Sequence, residues 1–296
     1  MRTGDLGGVR WIHGASDCDD SDDPPLQVVA VDDDTFVIRQ SKCVHFEAPF
    51  LCLLVGSERA LLHDTGATED AELFPIQRTV GDLIGARQLE LTVTHSHGHG
   101  DHRAGDAQFA DLPSGSIAPI GAEGVAGFFG IEGWPEGGAL LDLGDRVLDV
   151  IPAPGHLDDH VVLFDRTLGL LLSGDTLLPG TLTVRDWSAY VTSIRRLARF
   201  ARETASRGHP VLQIIGGHIE MSAKGEPYEL GTTYQPDEAP LPLSVEDLFS
   251  LEAALEDAGR TPRRIAGDRF VVEPMAGPRT DRPAMTDGQS DAPPAG

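Results

Sequence analysis

The sequence predicts one compact domain of mixed α/β class, with sheets at the centre and helices outside. Short apolar runs of strand length recur along most of the chain, closed by turn residues such as Asp32-Asp33-Asp34 and Gly56-Ser57. Two blocks run strand first and helix after, the order expected when helices pack against sheets. The chain is also long enough, at 296 residues with 40% hydrophobic and 24% charged content, to bury a large core. The expected organisation is an irregular acidic lead over residues 1–25, a single domain over 26–275, and a disordered tail over 276–296 that is poor in apolar residues.

Strands are expected at Gln27–Val31, Phe36–Gln40, Phe50–Val55 and Ala60–His63. Leu73, Ile76, Val80, Leu83 and Ile84 then repeat at helical spacing, with Gly85 placed to stop the helix. A strand follows at Leu89–Thr94, a short helix at Gly121–Phe129 and a loop at Gly130–Gly138. Strands resume at Arg146–Ile151, His160–Phe164 and Leu168–Ser173. Tyr190, Ile194, Leu197 and Ala201 mark one face of a helix over Ala189–Glu203, and Val211–Ile215 is the next strand. The last helix has a capping box at Ser244 and Asp247, an apolar face of Val245, Leu248, Phe249 and Leu255, and a stop at Gly259.

Charge excludes some roles. A net charge of −24, with eight aspartates between Asp17 and Asp34, repels phosphate backbones, so no nucleic acid partner is expected. Three cysteines make no disulfide framework in a chain of this length; Cys52 reads as a core residue, and the sequence leaves open whether Cys18 and Cys43 meet. The N-terminus lacks the apolar core of a signal peptide, and no apolar run approaches the ~20 residues that span a bilayer. A cytoplasmic chain without membrane contact is expected, and a homodimer is compatible with the sequence.

The chemistry concentrates at Thr94-His95-Ser96-His97-Gly98-His99-Gly100-Asp101-His102, where four histidines and a carboxylate directly follow an alternating strand. Neutral imidazoles mixed with a carboxylate suit a borderline metal such as zinc. Three further ligand types follow apolar strands and sit beside glycine: Gly155-His156, Gly174-Asp175 and Gly217-His218. Glycine permits the sharp turn and the close backbone approach that such a site needs.

Together these residues resemble the metallo-β-lactamase-like hydrolase superfamily. Its signature, H-x-H-x-D-H, reads here as His97-Gly98-His99-Gly100-Asp101-His102, and the resemblance runs from about Val29 to His218. It implies an αββα sandwich, two mixed sheets flanked by helices, with the site at one edge. It also implies two divalent metal ions, zinc foremost with iron or manganese as alternatives. His97, His99 and His156 would bind one ion; Asp101, His102 and His218 the other; Asp175 would bridge them. Asp64, in Leu62-His63-Asp64-Thr65-Gly66, matches an early acidic motif and would support the ligands from behind. His95 falls outside the signature register, either as a second support or as a strand-end residue.

Two such ions can share a water and lower its pKa, so a metal-bound hydroxide would be the nucleophile and no Ser or Cys is needed. Asp101 would orient it. His160, four residues after His156, would be a proton carrier or substrate contact, or a histidine fixed at a strand start. Trp134, Trp187, Tyr190 and Glu220 are candidates for the substrate pocket, with Trp187 and Tyr190 reading equally as packing residues at a helix start and Glu220 placed for the pocket floor. Trp134 lies with Phe128 and Phe129 on a glycine-bounded segment that reads as a lid or a loop anchor. The dizinc β-lactamases generally carry cysteine where this chain has Asp175, so antibiotic hydrolysis is not expected. Three readings stand: a dinuclear hydrolase of a thioester, ester or lactone with a small acyl substrate; a metal-dependent cyclase, thioester-releasing or dimer-forming enzyme of aromatic polyketide biosynthesis; and a non-catalytic binding protein. The complete ligand set argues against the third.

Overall fold

Alternation along the central strands builds three separate cores, and three cores require four layers. On β3 (Phe50–Val55), Phe50, Cys52 and Leu54 point into a core between two sheets, while Leu51, Leu53 and Val55 point to a core beneath a helix. On β8 (Val161–Asp165), Val161 and Leu163 meet the same inter-sheet core, and Val162 and Phe164 pack under helices on the far side. Strands buried on both faces read as continuous apolar runs, which is why they are so visible in the sequence. The result is the αββα sandwich that the resemblance implies. The computed structural model describes residues 4–113 and 115–275; the expected tail at 276–296 lies outside the described residues.

The first sheet has the order β1 (Leu26–Asp32), β2 (Thr35–Gln40), β3, β4 (Arg59–His63), β5 (Glu90–Thr94). Its pairs are antiparallel except β4 with β5, whose crossover contains α1 (Ile76–Ile84). The second sheet includes β6 (Ala139–Asp142), β7 (Val147–Pro152), β8, β9 (Leu170–Gly174), β11 (Gln213–Gly216) and β12 (Pro242–Leu243), in the order β12-β11-β9-β8-β7-β6. Here β9 and β11 are parallel, and the chain between them contains α4 (Trp187–Ser206). A small third sheet places β14 (Phe270–Pro274) between β10 (Gly180–Val184) and β13 (Ile265–Ala266). Between these elements run α2 (Gly100–Arg103), α3 (Ala122–Phe129) and α5 (Val245–Ala258).

The helix signals act as the sequence suggests. Gly85 ends α1 with φ 66°, and the Ser244–Asp247 capping box opens α5. Asp186 caps α4 by accepting the Ala189 N–H at 2.9 Å. The strands β6, β10, β12, β13 and β14 were not expected. β12 and β13 have two residues each, too few to show a period, and β10 opens on a glycine. Among the described residues no helix is long and apolar enough to cross a membrane.

Among the described residues, the lead over 4–25 contains a single 3-10 turn at Leu6–Gly8, yet it is not loose. Leu6 and Trp11 join the inter-sheet core, where the Trp11 and Phe50 rings meet edge to face at 4.9 Å. Cys18 and Cys43 form a disulfide that ties this lead to the loop after β2, a pairing the sequence left open. Cys52 is the buried core thiol expected, its pKa pushed up to about 12 by burial.

Candidate metal centre

The predicted metal-ligand residues lie just beyond strand ends at one edge of the sandwich. β5 ends at Thr94 and runs into the histidine cluster, where one turn of α2 carries Asp101 and His102. β7, β9 and β11 end at Pro152, Gly174 and Gly216, just ahead of His156, Asp175 and His218. The glycine beside His218 is a steric requirement: a Cβ on Gly217 would lie 2.5 Å from Asp175 Oδ1 and 2.9 Å from His102 Cε1. Gly174, at φ 49°, would drive a Cβ to 2.6 Å from that of Ser96.

The side chains gather into two groups, His97 with His99, His156 and Asp175, and Asp101 with His102 and His218. Within each group the potential ligand atoms lie within 4.8 Å of one another. Asp175 faces both. Its Oδ2 is 3.6 Å from His156 Nε2 and 3.8 Å from His97 Nε2, and its Oδ1 is 3.5 Å from both His102 Nε2 and His218 Nε2. Oδ1 is buried and has no hydrogen-bond partner.

The donor set fits a metal, and the hydrogen bonds behind the rings say why. His156 Nδ1–H donates to the Thr183 carbonyl at 2.8 Å, His218 Nδ1–H to the Glu47 carbonyl at 2.9 Å, and His102 Nδ1–H to Asp64 Oδ2 at 2.9 Å. Each neutral ring therefore turns a bare Nε2 inward. Two of these, on His102 and His218, face one another at 3.2 Å, and Asp101 Oδ2 is 3.2 Å from each. Facing lone pairs beside a carboxylate call for positive charge between them, which a metal ion or a ring proton supplies.

The two groups differ in their electrostatics. Burial and the neighbouring rings hold His97 well below the ordinary histidine pKa, and burial with His156 takes His99 down to about 4. Burial also lowers His156. In the second group burial acts in the same direction but is overcome. The carboxylates of Asp64, Asp101 and Asp175 hold His102 well above its usual value, and Asp175 and Asp101 raise His218 to about 9. Burial opposes ionisation of Asp101 and Asp175, yet His102 and His218 keep both carboxyls well below the usual range.

Asp64 stands behind the cluster. It has φ 69°, uncommon for a residue other than glycine, and its carboxylate accepts the Ser96 N–H at 2.7 Å, the Ser96 hydroxyl at 3.0 Å and the His102 ring. His95 points elsewhere and bonds Asp106 at 2.8 Å, which fixes the strand end.

Other expectations need correction. His160 is fully buried, stacks on the His97 ring at 5.0 Å, and so backs a ring instead of reaching the opening. Tyr190 is also fully buried; its hydroxyl donates to the Thr176 carbonyl at 2.7 Å, so it anchors the turn after Asp175 and is no substrate wall. Its place on the apolar face of α4 was the signal for that. Glu220, partly buried, accepts the Thr181 N–H at 3.2 Å, and Trp134 packs beside the inter-sheet core. Trp187 does line the cleft beside the centre, held by a bond from its Nε1 to the Gly259 carbonyl at 2.9 Å.

Two polar residues were missed. Asp159 accepts the Gly98 N–H at 3.2 Å and the Gly121 N–H at 2.8 Å, pinning the turn between His97 and His99. Arg185 places Nη2 at 2.9 Å from His99 Nε2. Asp159 adjoins Asp158 with no pattern to mark it, and Arg185 follows the unexpected strand β10.

Comparison with known proteins gives a consistent result. Residues 51–218 match the profile of the Metallo-beta-lactamase superfamily. The chain is 35% identical over 103 residues to Acyl-coenzyme A thioesterase MBLAC2 of Gallus gallus, a match covering 33% of this chain and 35% of that protein. It is 28% identical over 207 residues to the Hydroxyacylglutathione hydrolase of Anaeromyxobacter dehalogenans (strain 2CP-C), covering 69% of this chain and 74% of the relative. Among solved structures, a Metallo-beta-lactamase from Pontibacter korlensis superposes with TM-score 0.52 at 16% identity, over 78% of this chain and 99% of that one. That likeness concerns the fold alone.

Proposed function

This chain belongs to the metallo-beta-lactamase superfamily, and we propose that it is a dinuclear metal-dependent hydrolase that cleaves a small acyl thioester. In this reading His97, His99 and His156 would hold one divalent ion, Asp101, His102 and His218 would hold a second, and Asp175 would be shared between them; zinc would suit the donors best. The observation that carries it is the position of Asp175, one oxygen toward each group at 3.5 to 3.8 Å. A carboxylate held between two ligand groups fixes their separation and offsets the repulsion between two cations.

When bound, such a pair of ions supplies a nucleophile from water at neutral pH and polarises a carbonyl. The chain's own residues do the rest. Asp101 keeps 19% of its side chain exposed and orients the attacking water. His156 borders the cleft, so the acyl carbonyl enters on that side of the centre. Asp64, Asp159 and the Thr183 carbonyl hold the ligands in register. The choice of thioester draws on the relatives named as an acyl-coenzyme A thioesterase and a hydroxyacylglutathione hydrolase.

Metal analysis paired with a substrate panel tests this reading. Purified, metal-replete protein is expected to hold about two transition metals per chain and to hydrolyse acyl thioesters faster than lactones, phosphoesters or β-lactams. Protein that binds no metal, or that turns over only phosphoesters, overturns it.

A further inference from the structure

The loop that seats His218 is tied down by a disulfide. Residues 41–49 join β2 to β3. Two main-chain groups at the far end of this loop reach the second ligand group. The Glu47 carbonyl accepts His218 Nδ1–H at 2.9 Å, and the N–H of Phe50, the first residue of β3, donates to the Gly217 carbonyl at 2.8 Å. Near the other end Cys43 is bonded to Cys18 in the lead. The proposed hydrolysis uses neither cysteine.

The loop has a shape it does not favour by itself. Ala48 is buried with φ 45°, in the left-handed region that is costly for a residue with a Cβ. Lys42 is buried as well, and its ammonium, taken out of water, donates to the Phe46 carbonyl at 2.9 Å. A cross-link to a fixed partner offsets such costs, and the lead is fixed on both sides of Cys18. Leu6 and Trp11 are in the inter-sheet core, the His13 carbonyl accepts the Gln235 N–H at 2.9 Å, and β1 begins at Leu26. Opening the bond therefore frees two short loops, 15–25 and 41–49, and leaves the sheets paired. Cys18 and Cys43 are both partly exposed, and Ser16, Asp17, Asp19 and Asp20 around Cys18 are exposed, so a reductant can reach the sulfurs.

We propose that Cys18–Cys43 is a redox-modifiable bond that sets the metal affinity of the second ligand group: the oxidised chain seats His218, and the reduced chain releases it. The inference rests on the proposed two-ion centre. The reductant is a dithiol. One of its thiolates attacks a sulfur of the pair to form a mixed disulfide, and its second thiol resolves that intermediate. The reductant leaves as its own disulfide, and the chain gains two electrons and two protons as the thiols of Cys18 and Cys43. Loop 41–49 then relaxes, the Glu47 carbonyl withdraws, and the His218 ring loses the partner that orients it. Loss of such a partner costs roughly ten- to a hundredfold in metal affinity. The first group stays as it is, because its rings are backed by Ser96 and the Thr183 carbonyl, outside this loop.

The test compares three preparations: oxidised wild type, wild type reduced by a dithiol that is then removed, and the Cys18→Ser/Cys43→Ser double variant. Alkylation of the folded protein should label two thiols in the reduced wild type and none in the oxidised one, since Cys52 is buried. Zinc titrated against a chromophoric chelator should show two binding steps. One step should weaken by roughly tenfold or more in the reduced protein and in the variant, with the other unchanged. Two unchanged steps make the bond a staple only and overturn the proposal, as does equal weakening of both. A bond that resists the dithiol in the folded chain overturns it as well. A chain that takes up no metal in either state overturns the two-ion reading together with this one; two ions held identically in both states overturn this one alone. A second measurement needs no metal. Hydrogen exchange over residues 41–50 of the metal-free protein should rise when the bond opens, while β8 stays protected. Equal exchange in both states overturns the coupling of the bond to the loop.

Discussion

The two ligand groups lie side by side, yet they are braced in opposite ways. His97 and His156 lean on neutral groups, the Ser96 hydroxyl at 3.0 Å and the Thr183 carbonyl, His99 has the Arg185 guanidinium at 2.9 Å, and His156 borders the open cleft. His102 instead has the Asp64 carboxylate at its back, and both His102 and His218 are buried. A carboxylate behind an imidazole fixes the ring and raises its basicity. The carboxylate brace would favour a cation at the second group, while the first group, braced by neutral groups and an arginine, borders the cleft.

Asp175→Ala removes the one residue that faces both groups. Metal content should fall toward zero and turnover by roughly a thousandfold or more, as when a bridging carboxylate and its electrostatic support are lost. Wild-type turnover in that variant would erase the distinction between two groups and a shared bridge.

The cage behind the second group also buries Lys42. Its ammonium donates to the Phe46 carbonyl at 2.9 Å, and burial, then the Arg39 guanidinium, lower its pKa to about 8 against the attraction of Glu238, Glu220 and Glu47. In the unfolded chain it titrates near 10.5. Between these values the unfolded state holds the extra proton, so folding stability rises with pH from about 8 to 10.5. Relative to Lys42→Met, the wild type should gain on the order of 3 kcal/mol across that window, read from denaturant midpoints. Parallel curves for the two proteins would show that Lys42 is not held as the cage implies.

Asp64→Asn keeps a residue that tolerates positive φ but takes the charge from behind His102. Metal affinity of the second group should fall roughly ten- to a hundredfold, with the first group less affected. Titration monitored by metal release separates the two, and equal weakening of both would remove the asymmetry. Asp159→Ala acts in the other direction by freeing the Gly98 and Gly121 amides, and should weaken the first group several-fold, the smallest of these effects.

Much of this was written in the chain, unevenly. The candidate ligand residues were legible as a cluster because each follows a strand and the neighbouring glycine is dictated by contact, as at Gly217 against Asp175. β3 and β8 were legible because both faces are buried. The braces were not. Thr183 and Glu47 act through backbone carbonyls, which any residue provides. Arg185 reaches His99 from 86 positions away, through a strand too plain to mark. Tyr190 read equally as a substrate contact and as a packing residue, and its burial agrees with the packing its helical period suggested; a ring close to a motif in sequence is not thereby close to its opening.

The Cys18–Cys43 bridge changes what trimming this chain would mean. It closes a span of 25 residues, and such a closure removes roughly 3 kcal/mol of conformational freedom from the unfolded chain. It reaches the loop whose Glu47 carbonyl seats His218. A version begun at Leu26 would lose more than an acidic lead: it would leave Cys43 an unpaired thiol, strip Trp11 from the ring of Phe50 and open the inter-sheet core where Leu6 now closes it. For expression and truncation, the smallest useful piece therefore starts before Leu6, and thiol reductants in the buffer become a variable of stability as well as of metal chemistry.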